Sequence, residues 1–292
     1  MTEFRRAFSM TVGLTVAAMA AFAANSLLCR YALAEGASDP GIFAAIRIVS
    51  GAAVLAMINS RSAKPTLRSG TWAGAGALFV YAAAFSYAYT SLAAGIGALL
   101  LFGAVQITMV TAGLMRGERL RLLQWLGFAL AVTGLGAMLA PNAASPPPFG
   151  TALMVAAGIA WGLYSLLGRG AEDPLAVTAG NFAMATPAAV LLLIFALLTH
   201  GEISAYGALC AVTSGAIASG LGYTIWYSAL RGLTPAQGAS VQLSVPVLTA
   251  FSGALLLGEA LSLRLVLVSV TILGGITLVI IGRIRPQPGI AV

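Results

Sequence analysis

Long apolar runs alternate with short polar stretches along this chain. Residues 7–29, 70–115, 122–168, 174–199, 203–230, 232–258 and 265–282 carry no charge, and residues 40–58 carry one, Arg47. A membrane-crossing helix needs about 20 mainly apolar residues. Two of the runs, of 46 and 47 residues, are long enough for two helices each. The first divides near residues 90–93 and the second at the turn-forming stretch 141–148. The pattern predicts an all-α membrane protein of ten transmembrane helices, the last beginning near Leu261. Ten spans consume about 200 residues. The connecting segments are short, so no soluble domain is expected.

Composition agrees with the pattern. Of the 292 residues, 60% are hydrophobic and only 8% charged, against about 25% charged in a soluble domain. Mean hydropathy is +0.97. Such a chain is neither disordered nor a soluble enzyme. The net charge of +7 comes almost wholly from arginine, Lys64 being the one lysine. These residues sit between apolar runs, so they read as topology signals and not as a nucleic-acid surface. With the N-terminus in the cytoplasm, 12 of the 15 basic residues fall on the inner side. Only Arg30 and Arg264 fall outside, and Arg47 lies within a helix. Both termini are expected in the cytoplasm, and the protein in the inner (plasma) membrane as a multi-pass protein. Residues 5–29 have the look of a secretory signal. Their uncharged run of 23 residues is nevertheless long enough to span, and its sequence returns mid-chain.

That return is an internal repeat with an offset of 139 residues. Residues 15–32 and 154–171 share nine of 18 positions without a gap, including Ser-Leu-Leu-x-Arg. Asp39-Pro40 returns as Asp173-Pro174, and Gly117-Glu118 as Gly258-Glu259. Residues 1–140 then form a first five-helix repeat and residues 149–285 a second, joined by an outer linker, 141–148. Five is an odd number, so the second repeat must be inverted relative to the first. Two inverted halves can exchange conformations around a central cavity, which is the logic of alternating access.

Two five-helix halves, the Asp-Pro starts and the Gly-Glu ends resemble the EamA-type transporters of the drug/metabolite transporter superfamily. The strongest matches are residues 227–236 (YSALRGLTPA), Pro246 and Gly258-Glu259, and Arg47 also fits. The resemblance covers the whole chain. The first half departs from it at Val105, where the second half has Pro246. It implies the ten-helix fold and transport, and its aromatic cavity is similar to that of the amino-acid exporters, particularly the aromatic amino-acid exporter.

The membrane interior narrows the chemistry. No Asp or Glu lies deep in an expected helix, and the single histidine, His200, is in a loop. A proton relay of the usual kind has no carrier there. Arg47 is the one deep cation, too few for a phosphorylated substrate. It reads either as a gating or carboxylate partner in the cavity, or as a residue snorkelling to the interface or bonding a helix end. Tyr81, Trp161, Tyr164 and Tyr223 lie near mid-helix and read as cavity lining or helix packing. Asn25, Asn181, Gln237, Ser240 and Ser244 are polar groups that need partners, supplied by substrate or by neighbouring helices. Pro187 and Pro246 read as hinges or kinks. Trp72, Trp125 and Tyr206, and also Tyr89 and Trp226, suit an interfacial aromatic belt.

The expected function is secondary, ATP-independent transport of neutral, apolar or aromatic amino acids or related metabolites, with export implied by the resemblance. A facilitative mode is compatible with the missing carboxylates. The alternative is a proton-coupled drug or cation exporter of the same fold. No enzyme activity is expected, because acid–base residues, a metal-ligand cluster and a phosphate loop are all missing from the pattern. No metal or cofactor is expected. The partners expected are a small-molecule substrate and the lipid bilayer, not nucleic acid, with the chain a monomer or weak homodimer.

Overall fold

The computed structural model describes residues 2–34, 38–60, 69–117, 119–139, 145–168, 171–233, 238 and 241–284. Among these the chain is helical, with one isolated bridge between Ser38 and Ile203 and no strand. The helices are α1 (Thr2–Leu33), α2 (Pro40–Asn59), α3 (Trp72–Tyr89), α4 (Ala94–Met115), α5 (Leu122–Leu139) and α6 (Pro148–Leu167). They continue with α7 (Pro174–Leu198), α8 (Ala205–Leu230), α9 (Ser244–Leu257) and α10 (Leu263–Ile284).

Seven of them, α1, α2, α4, α6, α7, α8 and α10, are long and apolar enough to cross a membrane. α5 and α9 are apolar but shorter, and α3 has 18 residues with several tyrosines and glycines among them. Of the polar residues expected on helix 9, Gln237 and Ser240 lie outside the described residues.

The chain marks helix ends with the same devices in both halves. The Asp39 carboxylate accepts from the backbone N–H of Gly41 and Ile42 at the start of α2, with Pro40 in the first position. Asp173 accepts from Ala176 N–H at the start of α7, with Pro174 first. An acidic cap followed by proline satisfies free donors and wastes none. α4 and α9 are each followed by a left-handed glycine, Gly117 (φ 87°) and Gly258 (φ 67°). Only glycine adopts that conformation without steric cost.

Packing places α1, α2, α3, α4, α6 and α8 around a common interior, with α5 and α10 paired along one side. The α5–α10 pair approaches closely at Gly127 and Gly275, where a Cβ would collide with the opposing backbone. Small residues let helices meet through van der Waals contact where lipid offers no hydrophobic drive. The outward faces are apolar: Leu191, Leu255 and Val270, for example, are exposed.

α8 departs from the expected regular helix. Its central residues, Thr213–Leu221, wind as a π-helix between α-helical ends. The Gly222 N–H reaches back five residues to the Ile217 carbonyl. Gly215 in this segment is pressed onto the α2 backbone at Arg47, leaving no space for a Cβ. π segments of this kind concentrate at functional sites.

At one end of the bundle the two halves of the chain are clasped. Arg30 Nε lies 2.9 Å from Glu259 Oε1, and Arg30 Nη1 donates to the Tyr89 carbonyl at 3.1 Å. The other Glu259 oxygen accepts from the Ala94 N–H at 2.7 Å, at the start of α4. One carboxylate thus serves a cation and the positive end of a helix together.

Candidate functional site

A cavity of about 30 Å³ lies at the centre of the bundle. That is room for two or three water molecules, at about 10–15 Å³ each. The first half of the chain contributes Phe22, Asn25 and Ser26 from α1, Tyr81 and Phe85 from α3, and Leu101 and Phe102 from α4. The second half contributes Trp161 from α6, Ala218, Ser219 and Tyr223 from α8, and Gln242 just before α9.

Aromatic rings form a continuous lane through this region. Trp161 is its hub, with ring centroids 4.8 Å from Tyr81, 5.2 Å from Tyr223 and 5.3 Å from Tyr164, the last stacked. The lane continues from Tyr81 to Phe85 and Tyr89, and from Tyr223 to Phe22 and Trp226. The offset of 139 pairs Phe22 with Trp161 in the sequence. In the fold both rings contact Tyr223. Tilted and edge contacts of this sort are each worth about 0.5–1.5 kcal/mol beyond burial.

Arg47 stands directly behind the cavity wall. It is 2% exposed, so it does not snorkel. Its guanidinium carbon lies 5.0 Å from the Tyr81 ring centre and 4.9 Å from that of Phe85. Its Nη2 donates to the Tyr81 hydroxyl at 2.9 Å, and its Nη1 is buried without a partner. Among the described residues, the one ion pair joins Arg30 to Glu259, so no described carboxylate faces Arg47. A buried cation in that state carries a large desolvation cost, partly offset by the two aromatic faces.

A polar chain runs beside it. The Ser214 hydroxyl donates to Asn25 Oδ1 at 2.6 Å, and Asn25 Nδ2 donates to the Tyr81 hydroxyl at 3.4 Å. Ser219, one turn further along the π segment, has a buried hydroxyl with no partner. Nearby Cys29 Sγ lies 3.9 Å from Ser86 Oγ. Cys29 and Cys210 are both free.

The residues singled out from the sequence separate into groups. Asn25, Tyr81, Trp161 and Tyr223 line the cavity. Tyr164 stacks on Trp161 away from the cavity wall, its hydroxyl near Thr178 and Asn181 but lacking a hydrogen bond of good geometry. Asn181 finds its partner in a neighbouring helix: its Oδ1 accepts the Thr71 N–H at 2.8 Å, at the start of α3. Ser244 is exposed, and its hydroxyl closes on the Val241 carbonyl at 2.6 Å. Pro187 is exposed in an uninterrupted α7. Pro246 is buried in the first turn of α9, after a break in the helix at Leu243. Lacking an N–H, it leaves the Gln242 carbonyl without its usual helical donor.

Trp72, Trp125 and Tyr206 are exposed as belt residues would be. Tyr89 and Trp226 are buried, because the aromatic lane takes them inside. The sequence spacing puts Phe85 on one helix face with Tyr81 and Tyr89 without assigning it to the cavity, and Phe22, Phe102, Ser214 and Ser219 were passed over. The serines had a signal: Ser214-Gly215 and Ser219-Gly220 are five residues apart, the spacing of the π-helical bond.

Comparison with known proteins adds three findings. The model of the EamA-like transporter family matches residues 148–281. An uncharacterized protein of Pseudomonas aeruginosa is 58% identical over 277 residues, covering 94% of this chain and 96% of that protein. A protein of known crystal structure superposes with a TM-score of 0.61 at 21% identity, covering 92% of this chain and 96% of the other. That last likeness shows a fold shared with that protein over nearly the whole chain.

Proposed function

We propose, from the match of residues 148–281 to the EamA-like transporter family, that the chain is a transporter of that family and exports neutral, apolar or aromatic amino acids, or related metabolites, by alternating access. In this reading ten helices cross the inner (plasma) membrane as two inverted five-helix repeats, with both termini in the cytoplasm. Transport is secondary, with no direct use of ATP and no resident metal or cofactor.

The observation that carries the substrate reading is the cavity wall. Rings from both halves of the chain surround it, and the charge standing behind it is the positive charge of Arg47. Aromatic faces suit an apolar side chain, and the polar groups at Asn25, Ser219 and Gln242 suit a small zwitterion. The cavity of this conformation fits water and not an amino acid, so loading requires the helices to part. The clasp from Arg30 to Glu259 holds the two halves together at one end, as a carrier closed on that side requires.

The competing reading is a proton-coupled drug or cation exporter. A cation gains from a membrane-embedded carboxylate, whereas the buried charge beside this cavity is itself a cation.

The test is uptake and counterflow of radiolabelled amino acids in proteoliposomes containing this protein alone, with and without a pH gradient. Phenylalanine, leucine and methionine are expected to exchange at the same rate in both conditions. Transport that requires the gradient would replace the facilitative mode with proton coupling. No amino-acid movement by correctly inserted protein would overturn the reading.

A further inference from the structure

The Tyr81 hydroxyl has one hydrogen to donate and two lone pairs to accept with. Both accepting positions are filled. Arg47 Nη2 donates to it at 2.9 Å and Asn25 Nδ2 at 3.4 Å. A guanidinium has no acceptor, and as placed the Asn25 oxygen takes the Ser214 hydroxyl at 2.6 Å, which turns Nδ2 toward Tyr81. What remains of Tyr81 is its O–H, with no acceptor among the described residues, on the wall of the central cavity. An oxygen that accepts from a cation makes its own hydrogen a stronger donor, because each bond in such a chain polarises the next.

The same wall offers a second free donor. Ser219 is 1% exposed and its hydroxyl has no partner. It sits on the π segment of α8 and lines the same cavity. Arg47 adds a buried positive charge with one unpartnered nitrogen. No Asp or Glu stands among the cavity-lining residues. The site therefore holds donors and positive charge, and lacks the anionic acceptor that would complete them.

We propose that Tyr81 and Ser219 form the subsite that takes the carboxylate of the transported molecule. Both hydroxyls donate to it, and Arg47 supplies the charge through the Tyr81 oxygen. The chain Ser214–Asn25–Tyr81 fixes the direction in which the donor points. The inference rests on the cavity being the transport site, and it specifies the substrate class: a small carboxylate with an apolar body, whether or not it also bears an amine. An ammonium without a carboxylate meets donors and a like charge at this subsite.

Three ligands of nearly equal size separate the possibilities: 3-phenylpropionate, 3-phenylpropanamide and phenethylammonium. Their affinities for the purified full-length protein in detergent are read from tryptophan fluorescence and from the shift in melting temperature. The carboxylate is expected to bind at least about tenfold more tightly than the other two, the size of one hydrogen bond to a charged group. Tyr81→Phe keeps the ring and removes the donor. It is expected to weaken carboxylate binding by about tenfold and amide binding by less, because a neutral acceptor loses the weaker bond. Ser219→Ala repeats the test on the second donor should Tyr81→Phe fail to fold. Equal binding of carboxylate and amide, tighter binding of the ammonium, no carboxylate binding, or an undiminished preference in the folded variants would each overturn the subsite. A carboxylate preference that holds while amino acids fail to exchange in proteoliposomes would refute the amino-acid reading alone and leave the subsite standing.

Discussion

Arg47 on α2 and Tyr81 on α3 meet guanidinium to phenol at 2.9 Å, with the cation also lying 5.0 Å from the centre of the same ring. The contact combines a hydrogen bond with a cation–π interaction, and both side chains are buried. Stability alone does not favour such an arrangement, because apolar replacements of buried ions are often neutral or stabilising. Arg47→Met is therefore expected to insert normally and to melt at or above the wild-type temperature in detergent. Its transport is expected to fall at least about tenfold, the loss of one charge-assisted bond. A Met variant that transports at the wild-type rate would assign Arg47 to architecture.

Asn181 serves as a contrast. Its oxygen accepts the Thr71 N–H that opens α3, so its work is done on a helix end and not on a substrate. Asn181→Ala should cost about 1 kcal/mol, as the loss of a helix-end partner usually does. The melting temperature is expected to drop by a few degrees with KM for the transported amino acid unchanged. A raised KM at unaltered melting temperature would move Asn181 back into the cavity.

Glu259 holds Arg30 at 2.9 Å with one oxygen and the Ala94 N–H at 2.7 Å with the other. Glu259→Gln keeps an acceptor for the amide and loses the charge. The side chains are 21% and 14% exposed, so the loss is expected at about 1–2 kcal/mol and not the larger cost of a fully buried pair. Thermal unfolding in detergent at low and high salt reads it: the gap between wild type and variant should narrow with salt.

Gly215 faces the Arg47 carbonyl with no room for a Cβ. Gly215→Ala must push α8 away from α2, and overpacking of this kind costs about 1–3 kcal/mol. The variant is expected to lose both melting temperature and transport, since the displaced segment also carries Ser214 and Ser219. Gly76, with open space at its Cβ position, provides the control: Gly76→Ala should change neither.

The architecture was largely legible because its signals are local. Uncharged runs, Asp-Pro caps at residues 39–40 and 173–174, and the left-handed glycines 117 and 258 each act within a few residues. The cavity was legible only in part. Aromatic residues near mid-helix pointed to Tyr81, Trp161 and Tyr223, and all three line the cavity. Phe22 looks the same as any lipid-facing phenylalanine until the helices are assembled. Asn181 and Ser244 show the converse: a polar residue within an apolar run needs a partner, but sequence does not say whether a neighbouring backbone, its own helix or a ligand provides it. The π segment of α8 was invisible to periodicity, since a change in winding is set by what presses on Gly215.

That segment has a geometric consequence. In an α-helix each residue accounts for about 100° of rotation and 1.5 Å of rise. Tightening residues 213–221 by one residue into α form would twist the two ends of α8 against each other by about that angle. Ser214, which donates to Asn25, lies inside the winding fault, and Tyr223, which meets Trp161, lies just beyond it. The fault therefore sets the angle at which the two side chains face their partners, and its loss would swing one of them away by about 100°.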